Sequence, residues 1–177
     1  MMKLRRTAEK QVWELVHPRC ALERKEDMEE VYSMIELGEV DVAMDELRWL
    51  LQGCSDFVDA HRLLGELALM EGDLPLARGH FGYAYDCVFK ALPTPALDGT
   101  LPYRLKPNQS FHEAGKGLAH CLFRLNKLEQ ARSVVACLTQ LDPTDPLEVS
   151  QLEASSTPRP PSPFQILGDM PPADGLV

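Results

Sequence analysis

The chain has 177 residues, a formal net charge of −9 and 45% apolar residues. This length suits one domain of ordinary size with some additional segments. The acidic balance argues against nucleic-acid binding, because the sequence-independent part of such binding comes from Lys and Arg neutralising phosphates. No apolar stretch reaches the about 18 to 20 residues of a membrane-spanning helix, so neither nucleic acid nor membrane is an expected partner.

The start of the chain and its cysteines indicate a soluble, cytoplasmic protein. The basic opening residues are not followed by the apolar segment of a secretion signal. The five cysteines are an odd number and are scattered along the chain. Because disulfide frameworks belong to oxidising compartments, we expect these cysteines to be reduced and unpaired.

The first predicted element is a helix within residues 1–23. Apolar residues such as Trp13 and Leu15 lie within the segment Leu4 to Leu22, and Pro18 is expected to break the helix near its end. This helix would cover the exposed end of the repeats that follow. We therefore predict an N-terminal capping helix.

A repeated pattern follows between residues 24 and 143. Gly38 aligns with Gly72 and Ala43 with Ala77, both at an offset of 34 residues. Ala131 occupies the place of Ala77 after 54 residues, which is one further repeat plus an insert of 20. In each copy, apolar residues recur at three- and four-residue spacing on both sides of a Gly or Asn. This spacing predicts pairs of amphipathic helices joined by tight turns.

Residues at the predicted helix ends fit this interpretation. Gly38 and Gly72 stand where a helix must end with a positive φ, which glycine adopts without penalty. Capping boxes, which mark helix starts, are predicted at Ser110–Glu113 and Asn126–Glu129.

The pattern resembles the tetratricopeptide repeat (TPR) family. The residues that carry the resemblance are Gly65, Ala77, Phe81 and Ala84 in the second repeat, Leu118, Ala119, Ala131 and Leu141–Pro143 in the third, and Gly38 and Ala43 in the first. The resemblance implies an all-α fold, a right-handed solenoid of αα-hairpins with about three repeats. The repeats would span residues 24–57, 58–91 and 112–143, with an insert at 92–111.

Prolines mark the two segments that lie outside the repeats. The insert 92–111 holds four of the 14 prolines together with Leu101, Tyr103 and Leu105. A packed loop and a plain spacer are equally compatible with this composition. Eight prolines lie from Pro143 onward, so the tail at residues 144–177 is predicted to be disordered. Within it, Phe164–Leu167 is an apolar island that would either dock or be a chance feature.

Motifs for catalysis or metal binding are missing from the sequence. It contains no phosphate-binding glycine loop, nucleophile elbow or metal-protease helix motif. His17 and Cys20 form one close pair and His120 precedes Cys121, but a structural zinc site needs four ligands arranged as two close pairs. We therefore expect no enzymatic activity, no cofactor and no metal site.

The TPR resemblance implies a concave groove that binds an extended peptide or a helix, lined by the first helix of each repeat. The positions carried over to this groove for peptide binding are Lys25, Tyr32, Asp59, Arg62, Glu66, Lys116, His120 and Arg124, with Met28 and Glu113 beside them. The carboxylate-clamping Asn of some family members has no counterpart in the first two repeats. Each of these residues is equally compatible with an ordinary exposed helix surface.

We accordingly expect an adaptor or scaffold that binds a protein or peptide partner. Residues 25–92 carry fifteen acidic and five basic side chains, so the groove would be acidic near the first two repeats and more basic near the third. A self-assembling structural protein that forms homo-oligomers is the main alternative. A small enzyme and a metal-binding protein are the less favoured ones.

Overall fold

A computed structural model of the chain describes residues 1–93 and 97–156, and within them the protein is mostly helical. The helices are α1 (Arg19–Glu23), α2 (Lys25–Glu36), α3 (Val40–Gly53), α4 (Val58–Met70), α5 (Leu74–Phe89), α6 (Lys106–Arg124), α7 (Leu128–Leu141) and α8 (Leu152–Ser156). One turn of 3₁₀ helix (Val149–Gln151) precedes α8, and strands β1 (Lys3–Arg6) and β2 (Trp13–Val16) form a small antiparallel sheet. The prediction of a predominantly helical protein is confirmed.

The six longer helices α2 to α7 follow one another as three pairs joined by short turns. Gly38 and Gly72 both have φ of 81° in the first two turns, as predicted for residues that end a helix. The two predicted capping boxes are wrong. Ser110 lies inside α6, because Pro107 in the first turn lets that helix start earlier. Asn126 takes a left-handed conformation in the third turn, so Lys127 precedes α7 instead.

Helix α4 belongs to both of the hydrophobic clusters in the protein. On one side, Leu63 and Leu67 join the cluster that contains Leu47 of α3. On the other side, Val58 and Ala68 join the larger cluster formed by α5 to α7. Because α4 packs against α3, α5 and α6, it couples the three helix pairs into one core.

Phe81 of α5 fills the space between α4 and α6. A Cβ atom added to Gly65 would stand 2.7 Å from the Phe81 ring, and one added to Gly117 would stand 2.5 Å from it. Both distances are too short for a real contact, so glycine is required on both flanking helices. The combination of a small residue with a large aromatic therefore sets the spacing of α4 and α6.

The predicted N-terminal capping helix is wrong, because most of residues 1–23 form a β-hairpin and only Arg19–Glu23 is helical. Asn108 of α6 holds the second strand: its Oδ1 accepts from the Leu15 amide at 2.9 Å, and its Nδ2 donates to the Trp13 carbonyl at 3.1 Å. The Trp13 amide donates to the Thr100 carbonyl at 2.9 Å. These hydrogen-bond partners are distant in the sequence and cannot be inferred from the local spacing of apolar residues. Their hydrogen bonds favour a strand over a helix.

The insert packs against the domain in its described residues, 92, 93 and 97–111, so it is not a plain spacer there; residues 94–96 lie outside the described residues. Leu101 is fully buried, and its amide donates to the Leu141 carbonyl at 2.8 Å. The Tyr103 amide donates to the Asp142 carboxylate at 2.8 Å. The last part of the insert belongs to α6, which begins at Lys106 and not at residue 112.

The tail prediction is wrong for residues 144–156. Val149 is buried, and the Asp145 carboxylate accepts from its amide at 2.8 Å. Helix α8 packs on α6, and Glu153 pairs with Arg132 of α7 at 2.5 Å. Residues 157–177, with the apolar island Phe164–Leu167, lie outside the described residues.

The prediction that all five cysteines are unpaired is also wrong. Cys20 and Cys54 form a disulfide that joins α1 to the end of α3, with their Cα atoms 5.7 Å apart. They are 34 residues apart in the sequence, and only the folding of α2 against α3 brings them together. Cys87, Cys121 and Cys137 are free thiols. None of the helices in residues 1–93 and 97–156 is long and apolar enough to cross a membrane.

Replacing Gly65 by Ala should lower the free energy of unfolding by about 1–3 kcal/mol, because the new methyl group overpacks against Phe81. Urea unfolding at neutral pH measures this difference. Gly79→Ala is the matched control, since Gly79 also lies inside a helix but a Cβ there meets nothing within 4 Å. That control should raise stability by roughly 0.5–1 kcal/mol. Equal effects at the two sites would contradict the packing described for Phe81.

Removing the disulfide with Cys20→Ser and Cys54→Ser together should lower the free energy of unfolding by about 2–4 kcal/mol, because the cross-link restricts the unfolded chain. Urea unfolding of the oxidised wild type, the reduced wild type and the double variant measures the effect. Reduction should move the wild type to the stability of the variant and leave the variant unchanged. A wild type insensitive to reductant would contradict the cross-link.

Candidate functional site

Arg62 is a buried cation at the junction of α2, α4 and α6. Its side chain is only 9% exposed, and it contacts three carboxylates. Its Nε lies 2.9 Å from Asp59 Oδ1 and 3.3 Å from Glu113 Oε2, and its Nη1 lies 2.6 Å from Glu66 Oε1. Asp59 and Glu66 are one helical turn away on α4, before and after Arg62, whereas Glu113 comes from α6. Arg62 therefore links two helix pairs through charge-assisted hydrogen bonds.

Hydroxyl groups from other elements complete this arrangement. Arg62 Nη2 donates to the Tyr32 hydroxyl of α2 at 2.5 Å, and that hydroxyl donates to Asp59 Oδ2 at 3.1 Å. The Ser110 hydroxyl of α6 donates to Asp59 Oδ1 at 2.9 Å. The Tyr103 hydroxyl of the insert donates to Glu113 Oε1 at 2.8 Å. We call Tyr32, Asp59, Arg62, Glu66, Tyr103, Ser110 and Glu113 together the Arg62 cluster.

Electrostatic forces keep Arg62 charged in spite of its burial. Burial alone lowers the pKa of Arg62, but the attraction of Asp59 and Glu66 outweighs it and raises the pKa above the usual value. Burial, followed by the charge of Asp59, raises the pKa of Tyr32, so its hydroxyl stays protonated at neutral pH. With three carboxylates around one guanidinium, the cluster keeps a net negative charge.

A groove of about 480 Å³ opens beside the cluster. Its walls include Glu66, Glu113, Lys116, His120, Leu147 and Leu152. The two leucines come from the segment around α8, so the end of the described chain forms one wall. We call this space the Arg62 groove.

Basic side chains follow α6 from the groove outward. Lys116, His120 and Arg124 follow one another at four-residue spacing and therefore lie on one face of the helix. Lys116 and His120 line the groove, whereas Arg124 is exposed and lies one turn beyond them. Burial, together with the charges of Arg124 and Lys116, lowers the pKa of His120. Within residues 1–93 and 97–156, Lys116 and Arg124 form no ion pair.

The structure brings most of the predicted groove residues together. Tyr32, Asp59, Arg62 and Glu66 belong to the Arg62 cluster, and Lys116 and His120 line the groove. Lys25 lies apart from them: its side chain is 73% exposed and pairs with Glu29 of its own helix at 3.4 Å. Met28 is 4% exposed and belongs to the core, so it does not face a groove.

The predictions from the sequence did not include the residues that reach the site from outside the predicted repeats. Tyr103 belongs to the insert, and Leu147 and Leu152 belong to the segment predicted to be disordered. A weak signal was available, since Leu147, Val149 and Leu152 are apolar residues at short spacing before the proline-rich part begins. Ser110, which is predicted to begin a helix, belongs to the Arg62 cluster.

The chemistry available at this site is ionic recognition. Asp59, Glu66 and Glu113 are all engaged by Arg62. In the part of the chain that the structure describes, no group of three or more His, Cys, Asp or Glu side chains is placed to hold a metal ion. Comparison of the chain with protein-family models, with curated proteins and with solved structures finds no match.

Replacing Arg62 by Met should lower the free energy of unfolding by about 3–5 kcal/mol at pH 7, because three carboxylates lose their buried cation. Urea unfolding at pH 7 measures the effect.

The control is Arg48→Met, which removes an Arg that is 54% exposed and pairs with Asp45 of its own helix at 2.7 Å. Exposed pairs contribute roughly 0–1 kcal/mol, so this variant should stay close to the wild type. A loss at Arg62 no larger than at Arg48 would contradict the role assigned to Arg62.

Proposed function

We propose that the chain is a TPR-like interaction module that holds an extended segment of a protein partner in the Arg62 groove. The three helix pairs, the glycine turns and the fit of Gly65 to Phe81 support the TPR-like interpretation. Stacked pairs of this kind create extended concave surfaces, which such proteins use for binding.

The observation that carries the proposal is a contrast of charge along the groove. Around Arg62, the carboxylates of Asp59 and Glu66 on α4 and of Glu113 on α6 leave an excess of negative charge. Farther along α6, Lys116 and Arg124 have no carboxylate partner among the described residues, and His120 lies between them. A groove with an acidic and a basic part is complementary to a segment that carries both charges.

The same contrast predicts the orientation of the bound segment. Its basic side chains would lie near Glu66 and Glu113, and its acidic side chains would lie along Lys116 and Arg124. Between them, Leu69, Leu147 and Leu152 offer apolar surface, which a Leu or an aromatic side chain of the partner would cover. Burial of such apolar anchors supplies most of the affinity in interfaces, and charges supply most of the specificity.

Selection from a random peptide library on the immobilised full chain tests the proposal. Selected peptides should combine basic, acidic and apolar residues, and fluorescence polarisation should give saturable binding. The double variant Lys116→Glu, Arg124→Glu should weaken binding of the same peptides by about tenfold or more, because attraction becomes repulsion.

The matched control is Lys90→Glu, Lys127→Glu, which changes the net charge equally at exposed positions outside the groove. This control should bind the peptides nearly as well as the wild type. Equal losses of binding in the two double variants would show that the effect depends only on the net charge of the protein. Full binding by the Lys116→Glu, Arg124→Glu variant would contradict the proposed groove.

A further inference from the structure

Two histidines from neighbouring helices face each other away from the Arg62 groove. His61 of α4 and His80 of α5 have their Nδ1 atoms 3.1 Å apart and their ring centroids 5.4 Å apart. Both side chains are partly buried. Two ring nitrogens this close share one hydrogen-bond proton between them, and their separation would let a single ion contact both.

The orientation of the His61 ring is fixed by two further contacts. Its Nε2 lies 3.1 Å from the Ser55 carbonyl oxygen, which can only accept, so Nε2 carries the proton. Tyr83 packs on the ring with centroids 4.4 Å apart. The neutral His61 ring therefore has its lone pair on Nδ1, and His80 Nδ1–H donates to it. An Nε2–H held by a backbone carbonyl is the usual outer-shell arrangement of a metal-binding histidine.

The surroundings keep both rings neutral at physiological pH. Burial lowers the pKa of His61 to about 4, although the Ser55 carbonyl and Asp56 act in the opposite direction. Burial and the charge of Arg48 lower the pKa of His80. Neutral imidazole is the form that binds transition metals.

We propose that His61 and His80 form a two-nitrogen binding site for a divalent transition metal of the class that prefers imidazole, namely Ni²⁺, Cu²⁺ or Zn²⁺. With metal–nitrogen bonds of about 2.0–2.1 Å, nitrogens at the observed separation subtend roughly 95–100° at the ion. This nitrogen–metal–nitrogen angle lies between the angle of square-planar or octahedral coordination and that of tetrahedral coordination, so the pair can serve as two ligands in any of these geometries. Water fills the remaining positions, and Asp56 supplies a nearby negative charge.

Metal binding at this pair needs one proton to move. The proton on His80 Nδ1 leaves through water, and His80 Nε2 takes up a proton in its place. His61 keeps its proton on Nε2. Both rings stay neutral overall, so the bound ion replaces the shared hydrogen bond without net release of protons. The site is a pair and not a triad, and its histidines are 19 residues apart, a spacing that no metal motif in the sequence predicts.

Titration of the full chain with NiCl₂ in a calorimeter tests the site. The wild type should bind one Ni²⁺ per chain at pH 7.5, and the observed heat should be the same in buffers of different ionisation enthalpy, because no net proton is released. His80→Ala should weaken this binding by at least about tenfold, the lower end of what losing even an outer-shell partner costs. His120→Ala removes a partly buried histidine in the groove and should leave Ni²⁺ binding unchanged.

A second measurement needs no variant and therefore does not depend on how a variant folds. Two-dimensional ¹H–¹⁵N spectra of the imidazole rings, recorded with ZnCl₂, should show shifts of the Nδ1 signals of His61 and His80 and a new proton on His80 Nε2, while His61 Nε2 stays protonated. Ni²⁺ binding that is unchanged in His80→Ala, or Zn²⁺ shifts confined to other histidines, would overturn the proposal.

Discussion

A single buried guanidinium connects the first helices of the three helix pairs. Arg62 lies on α4, donates to Asp59 and Glu66 of its own helix, and reaches Tyr32 on α2 and Glu113 on α6. Burying a charge is costly unless its hydrogen bonds are satisfied. The fold satisfies them by placing carboxylates and hydroxyls from separate elements around one side chain. The relative placement of these helices is therefore specified by ionic geometry as well as by apolar packing, which is non-directional.

The packing around Phe81 and the Arg62 cluster reinforce each other. Gly65 and Gly117 let α4 and α6 approach the Phe81 ring, and this close approach is what brings Glu113 within reach of Arg62. The insert and the segment around α8 then add Tyr103 and Leu152 to the same region. Because the carboxylates are occupied by Arg62, Lys116 and Arg124 remain available for a partner. The proposed recognition thus follows from the way the core is built.

The helix pairs could be predicted from the sequence because their signals are local. Apolar spacing gives the helices, and Gly38 and Gly72 end them. Tyr32, Asp59, Arg62 and Glu66 could be predicted to lie together as well, since position along a helix decides which face a residue occupies. Other features depend on distant partners. The β-hairpin needs Asn108, the disulfide needs α3 to fold back towards α1, and α8 needs the surface of α6. Local composition predicted the opposite in each case. It also gave no indication that Arg62 would be paired with three carboxylates.

Arg62 and Glu113 interact directly and so couple α4 to α6. A double-mutant cycle with Arg62→Met, Glu113→Gln and the combined variant measures that coupling in the free energy of unfolding. We expect a coupling of about 1–3 kcal/mol, so that the combined variant loses less than the sum of the single variants. Additivity within about 0.5 kcal/mol, the behaviour of independent sites, would show that Arg62 and Glu113 do not couple the two helices.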